Sequence, residues 1–196
     1  MAFTNFDTKE INCKVLYVGP RGSGKTANLR SIYTNTAAEV KAGLMELDDQ
    51  DGPTRFFDFL PVSIGQLKDF HVKLHLFTLP GNALYESTNT VLLKGVDGLV
   101  FIADSGMERM PDNIASMARA RNLLSDAGIN PSDIPMVIQY NKRDGADSIP
   151  VNILRQELNA GNVPDQEAIA TRHVGTMETL QLMAKSVLRR LAFQEA

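Results

Sequence analysis

Short, nearly unbroken apolar runs alternate along this chain with segments whose apolar residues recur every three or four positions. Val15-Leu16-Tyr17-Val18, residues 97–103 (Asp-Gly-Leu-Val-Phe-Ile-Ala) and residues 134–140 (Ile-Pro-Met-Val-Ile-Gln-Tyr) are runs of the first kind. Such runs predict strands covered by helices on both faces. Residues 71–77 alternate instead, with His71, Lys73 and His75 set against Val72, Leu74 and Leu76. They predict a half-exposed strand nearer a sheet edge. Helical spacing links Met110, Ile114, Met117, Arg121 and Leu124, and Gly128 is placed to stop that helix. Pro150 fits a first helical turn ahead of Ile153, Leu154 and Leu158. Met177, Leu180, Ala184, Val187, Leu188 and Leu191 mark the last helix. This alternation predicts an α/β fold with a mainly parallel sheet and helices on both faces. No repeat or linker divides residues 1–196, which read as a single domain.

Composition narrows the partners. Twenty basic and twenty-three acidic residues leave a net charge of −3 with no basic run, so nucleic acid and anionic membrane are not implied as obligatory partners. Cys13 is the single cysteine, which excludes an intrachain disulfide and suits a reducing compartment. No apolar run reaches membrane-spanning length, and neither a signal peptide nor a lipidation motif is present. The expectation is a cytoplasmic monomer with no direct membrane anchor. His71 and His75 share a strand face without a third ligand, which favours a solvated face over a metal site. Lys185, Arg189 and Arg190 suit the negative end of the last helix dipole.

The chemistry concentrates in Gly19-Pro20-Arg21-Gly22-Ser23-Gly24-Lys25-Thr26, which joins the first apolar run to the helix-compatible segment Ala27–Tyr33. G-x-x-x-x-G-K-T between a strand and a helix is the phosphate-loop pattern. Gly19, Arg21, Gly22, Ser23, Gly24 and Ala27 are expected to line the phosphates with backbone N–H groups at a helix N-terminus. Lys25 would reach the β- and γ-phosphates, and the Thr26 hydroxyl would ligate Mg²⁺. Asn141-Lys142-Arg143-Asp144 closes the run 134–140, about 115 residues beyond Thr26. N-K-x-D resembles the guanine-recognition motif of small GTPases. Asp144 would accept from guanine N1–H and the exocyclic amine, Asn141 would reach the N7/O6 side, and the Lys142 stem would lie along the ring. Ile169-Ala170-Thr171 occupies the slot of a further base loop, where the Ala170 N–H would meet guanine O6. Between the motifs, Thr54 is a candidate for Mg²⁺ and the γ-phosphate. Gly81, in Thr78-Leu79-Pro80-Gly81, is placed to donate to a γ-phosphate oxygen.

Together with Phe56-Phe57-Asp58-Phe59-Leu60-Pro61, Leu92-Leu93-Lys94-Gly95-Val96-Asp97-Gly98 and Ile138-Gln139-Tyr140, these motifs resemble the MglA family of bacterial Ras-like small GTPases. The likeness runs from Glu10-Ile11-Asn12 to the final helix. It implies a P-loop NTPase of the Ras-like type with a six- or seven-stranded sheet, using GTP/GDP and Mg²⁺. It also implies a switch for cell polarity and gliding motility that collects at a cell pole, engages effectors and is turned off with a roadblock-fold, MglB-like regulator.

Three departures fall around the γ-phosphate. The family has glycine at Arg21, an arginine finger at Pro53 and a water-orienting glutamine at Asn82. An arginine finger is worth about 10³–10⁵ in rate, and the glutamine positions the attacking water. Their loss implies slow hydrolysis, with Asn82, Arg21, Arg55 and Gly81 the remaining catalytic candidates. Arg21 admits two readings: it crowds the attacking water, or it supplies the charge that Pro53 removes. An alternative reading is a GTP-held interaction module with little turnover.

Overall fold

The run Val15–Val18 forms the end of the strand around which the sheet is built. The computed structural model describes residues 2–48, 55–79 and 92–194. Pro53, Thr54, Gly81 and Asn82 lie outside those residues. The strands are β1 (Phe3–Asn5), β2 (Glu10–Val18), β3 (Met45–Asp48), β4 (Arg55–Leu67), β5 (Phe70–Thr78), β6 (Val96–Asp104), β7 (Met136–Asn141) and β8 (Asp165–Glu167). Among the described residues are the α-helices α1 (Lys25–Asn35), α2 (Met110–Asp126), α3 (Val151–Leu158) and α4 (Thr176–Gln194).

Seven strands run in the order β3-β4-β5-β2-β6-β7-β8. From β5 to β8 every neighbouring pair is parallel, while β3, β4 and β5 are joined antiparallel. The expectation of a six- or seven-stranded, mainly parallel sheet is met by this seven-strand path. The short strand β1 adds an eighth, antiparallel to β2 at Glu10–Asn12. It fits there because β6 begins pairing with β2 only at Lys14.

Strand alternation sends side chains to opposite faces, and each face has its own helices. On one face Leu16, Leu99, Phe101, Ile138 and Tyr140 meet Met117, Ala120 and Leu124 of α2 and Leu154 and Leu158 of α3. On the other, Cys13, Val15, Tyr17, Val100 and Val137 pack under Leu29 and Ile32 of α1 and Leu180, Met183 and Val187 of α4. All nine residues of β6 are buried, as a central parallel strand requires. β5 shows the expected alternation, with Val72, Leu74 and Leu76 fully buried and His71 exposed. It lies third from the β3 edge, and its open face carries polar pairs rather than a helix core: His75 Nε2 is 2.8 Å from Asn12 Oδ1. The strand expected over 134–140 begins after Pro135, at Met136, and runs one residue further, to Asn141. Proline offers no N–H to a ladder, so a strand starts readily behind it.

Candidate functional site

The carboxyl ends of β2, β6 and β7 converge at Val18, Asp104 and Asn141, the end of a parallel sheet where ligands gather. The phosphate loop leaves β2 and enters α1 there, and close packing explains its glycines. A Cβ on Gly19 would sit 2.2 Å from the Ile102 carbonyl oxygen, and one on Gly24 would sit 2.3 Å from Asn141 Nδ2. Gly24 also has φ of +102°, a conformation that side chains disfavour.

Asn141 accounts for the second approach. Its Nδ2 donates to the Ser23 carbonyl at 2.7 Å, and its Oδ1 accepts from the Ala170 N–H at 3.0 Å. One buried carboxamide thus braces the phosphate loop against the Ala170 loop. In this arrangement the groups expected to face guanine N7/O6 are engaged with each other. Lys142 has φ of +64° and its Nζ lies 2.7 Å from Asp104 Oδ2. Asp144 stands beside it at the surface, 3.4 Å from Arg172 Nε. Thr171 is exposed in the turn Ala170–Arg172.

Lys25 is the buried cation of the loop. Its Nζ donates to the Gly19 and Pro20 carbonyls at 3.0 and 2.9 Å. Burial pushes its pKa down to about 8, with Asp58 opposing the shift. A buried ammonium held mainly by neutral carbonyls is electrostatically undersupplied, and a polyphosphate would complete it.

Beside it, Thr26 Oγ1 donates to Asp58 Oδ2 at 2.6 Å. The Thr78 hydroxyl donates to the same oxygen at 3.0 Å and accepts from the Asp58 N–H at 2.8 Å. Asp58 is 1% exposed, and its Oδ1 has no hydrogen-bond partner among the described residues. An unsatisfied carboxylate oxygen next to the phosphate-loop threonine suits a hard divalent cation, so the donor set fits Mg²⁺. Sequence reasoning passed over Asp58. The available signal was a lone acid inside the apolar run Phe56–Leu60, together with threonine at Thr78 where Ras-like proteins carry aspartate. Strand pairing joins the two: Phe59 lies opposite Phe77, which puts Asp58 beside Thr78.

The other candidates are more dispersed. Arg21 is exposed and lines a cleft of about 350 Å³ between the loop and α2, with Arg109, Asp112 and Arg119. Arg55 opens β4, in register with Asp48. Gly22 is exposed, and Ser23 is fully buried. Ala27 is half-buried in the first turn of α1.

No family model matches the chain. Among curated proteins, the Mutual gliding-motility protein MglA of Myxococcus xanthus (strain DK1622) is 46% identical over 191 residues, covering 97% of this chain and 98% of the relative. A Ras-like sheet, a phosphate loop braced to an N-K-x-D strand, and identity of that extent lead to one assignment. The chain belongs to the MglA family, small GTPases of the Ras-like fold that bind guanine nucleotides.

Proposed function

We propose that this protein is a GTP- and Mg²⁺-dependent switch in the cytoplasm, acting in gliding motility and cell polarity through effectors and a roadblock-fold, MglB-like regulator. The observation that carries the nucleotide reading is Asn141, which ties Ser23 of the phosphate loop to Ala170 of the base loop. The motility role rests on the name of the relative, the Mutual gliding-motility protein MglA. Among the described residues no helix is long and apolar enough to cross a membrane.

In this reading the loop backbone and Lys25 hold the phosphates, while Asp144 selects guanine. Thr26, Thr54 and Asp58 would hold Mg²⁺, which when bound neutralises charge on the phosphate oxygens. The Gly81 N–H would donate to the γ-phosphate, and loss of that phosphate would release the Thr54 and Gly81 segments. Asn82, one methylene shorter than glutamine, orients water poorly, and Pro53 contributes no charge. Hydrolysis is therefore slow. Loaded with GTP, the protein is expected to hydrolyse it in a single turnover no faster than intrinsic Ras, about 3–5 × 10⁻⁴ s⁻¹. Arg21→Gly should raise that rate, because the side chain crowds the reaction centre; a fall would instead assign Arg21 the role of an internal finger. A wild-type rate well above the Ras value would defeat the slow-switch reading, and no turnover at all with GTP retained would favour the GTP-held module.

Lys25 supplies a pH dependence. Its ammonium is destabilised by burial in the free protein, with a pKa of about 8, and phosphate contact favours the charged form. Binding above pH 8 therefore draws a proton onto Lys25. Affinity for GDP is fully present below that pH and falls as pH rises through it, by up to about tenfold per unit. The stability of the nucleotide-free protein moves the opposite way, rising between about 8 and 10.5, because there the unfolded chain binds more protons. Titration calorimetry between about pH 7 and 9, in buffers of differing ionisation enthalpy, reads the proton uptake directly. Flat affinity without uptake would contradict this account.

A further inference from the structure

One side chain that neither motif supplies meets the phosphate loop from the flank. Arg109, immediately ahead of α2, donates from Nη2 to the Arg21 carbonyl oxygen at 2.7 Å. Its Nη1 pairs with Asp112 in the first turn of α2, and its Nε lies 3.5 Å from Asp104 Oδ2. Asp104 is a firm anchor. It is 4% exposed, its Oδ1 accepts from the Gly106 N–H at 3.1 Å, and Asn113 holds its backbone N–H and carbonyl at 2.9 and 2.8 Å. The same Oδ2 faces Lys142 Nζ at 2.7 Å. The Arg109 backbone is fixed as well, its N–H donating to the Gly106 carbonyl at 2.9 Å. A planar guanidinium with a fixed fork of donors can serve three acceptors on three elements at once, which a lysine cannot.

The contact with Arg21 has a consequence one atom group further along. No peptide bond among the described residues is cis, so the Arg21 carbonyl and the Gly22 N–H point in opposite directions. Drawing the carbonyl to Arg109, on the α2 side, turns the Gly22 N–H away from α2. Gly22 has φ of +78° and no heavy atom within 4 Å of where a Cβ would be. Gly22 therefore offers no side chain to fix this peptide, the central one of the turn that Ser23 N–H closes on the Pro20 carbonyl at 3.2 Å. Arg109 holds its carbonyl from outside the loop.

We propose that Arg109 is a positioning residue for the β-phosphate. It sets the Arg21–Gly22 peptide so that the Gly22 N–H is presented to the phosphate, with Asp104, already held by Lys142, as its anchor. The inference rests on the guanine-nucleotide reading and adds to it a residue outside both nucleotide motifs.

Release of a fluorescent GDP analogue, with competition by GDP and by GMP, tests it. Arg109→Ala is expected to release GDP about tenfold faster, the loss of one charge-assisted hydrogen bond. Its affinity for GMP, which lacks the β-phosphate, should stay within about twofold of wild type, well below the change expected for GDP. Arg109→Lys should fall between the two, since one ammonium reaches Arg21 O but cannot also bracket both carboxylates. A merely structural role would weaken GMP and GDP together, and that result would overturn the inference, as would unchanged GDP release. If Arg109→Ala does not fold, Arg109→Lys carries the same GDP-against-GMP comparison. Failure of the wild-type protein to bind GDP would overturn the nucleotide reading together with this inference. Wild-type binding with unchanged release in the variants overturns the inference alone.

Discussion

Replacing Asp58 with asparagine is expected to cut the Mg²⁺-dependent part of GDP affinity by about tenfold to a hundredfold while leaving the nucleotide-free protein as stable as before, or more so. Two effects oppose each other at this residue. In the free protein Asp58 Oδ2 accepts from both Thr26 and Thr78, but Oδ1 is buried without a partner among the described residues. A desolvated charge of that kind is costly, and the neutral amide relieves it. With Mg²⁺ and nucleotide present the balance reverses, because the amide cannot supply the negative charge that a hard cation requires. Thermal melting with and without Mg²⁺–GDP separates the two: the ligand-induced rise should shrink, and the ligand-free midpoint should hold or climb. An undiminished rise in Asp58→Asn would show that this carboxylate takes no part in holding the metal.

The second large effect concerns the base. Asp144→Asn should lower GDP affinity by about 10²–10³, because the carboxylate that accepts from N1–H and the exocyclic amine becomes a half-donor that leaves one of them unpaired. The same change should improve binding of xanthosine diphosphate, whose C2 carbonyl can accept from the new amide. Asp144 faces Arg172 at 3.4 Å in the free protein. That pair is at the surface, so its loss contributes little to stability. Competition of the two diphosphates against one fluorescent probe gives the switch as a ratio. An unchanged ratio would remove Asp144 from the base site.

Much of this was legible from residue patterns, and the limits of legibility have a physical cause. Continuous apolar runs located β6 and β7, and three-and-four spacing located α2, α3 and α4, because burial on a known period leaves a local record. The phosphate loop and N-K-x-D were readable for the same reason: each packs its chemistry into a few adjacent residues. Asp58 and Arg109 were not, since their meaning lies in partners distant in sequence. Asp58 acquires its role only when β4 pairs with β5 and carries it to Thr78 and Thr26. Arg109 acquires its role only when the end of β6 turns into α2 alongside the loop. Asn141 shows the converse. Its motif was clear, yet its position as a brace between Ser23 and Ala170 emerged only from the packing. The strand β1 was also missed, being three residues long with no periodic signal.

The central claim is that one pocket joins a phosphate cradle to a guanine-selecting carboxylate. Isothermal titration of the protein with GDP and ADP, each with excess Mg²⁺, tests it most directly. The account predicts GDP binding at least about 10²-fold tighter than ADP, since adenine presents no donor pair to Asp144. Equal affinities, or uptake of neither nucleotide, would contradict it.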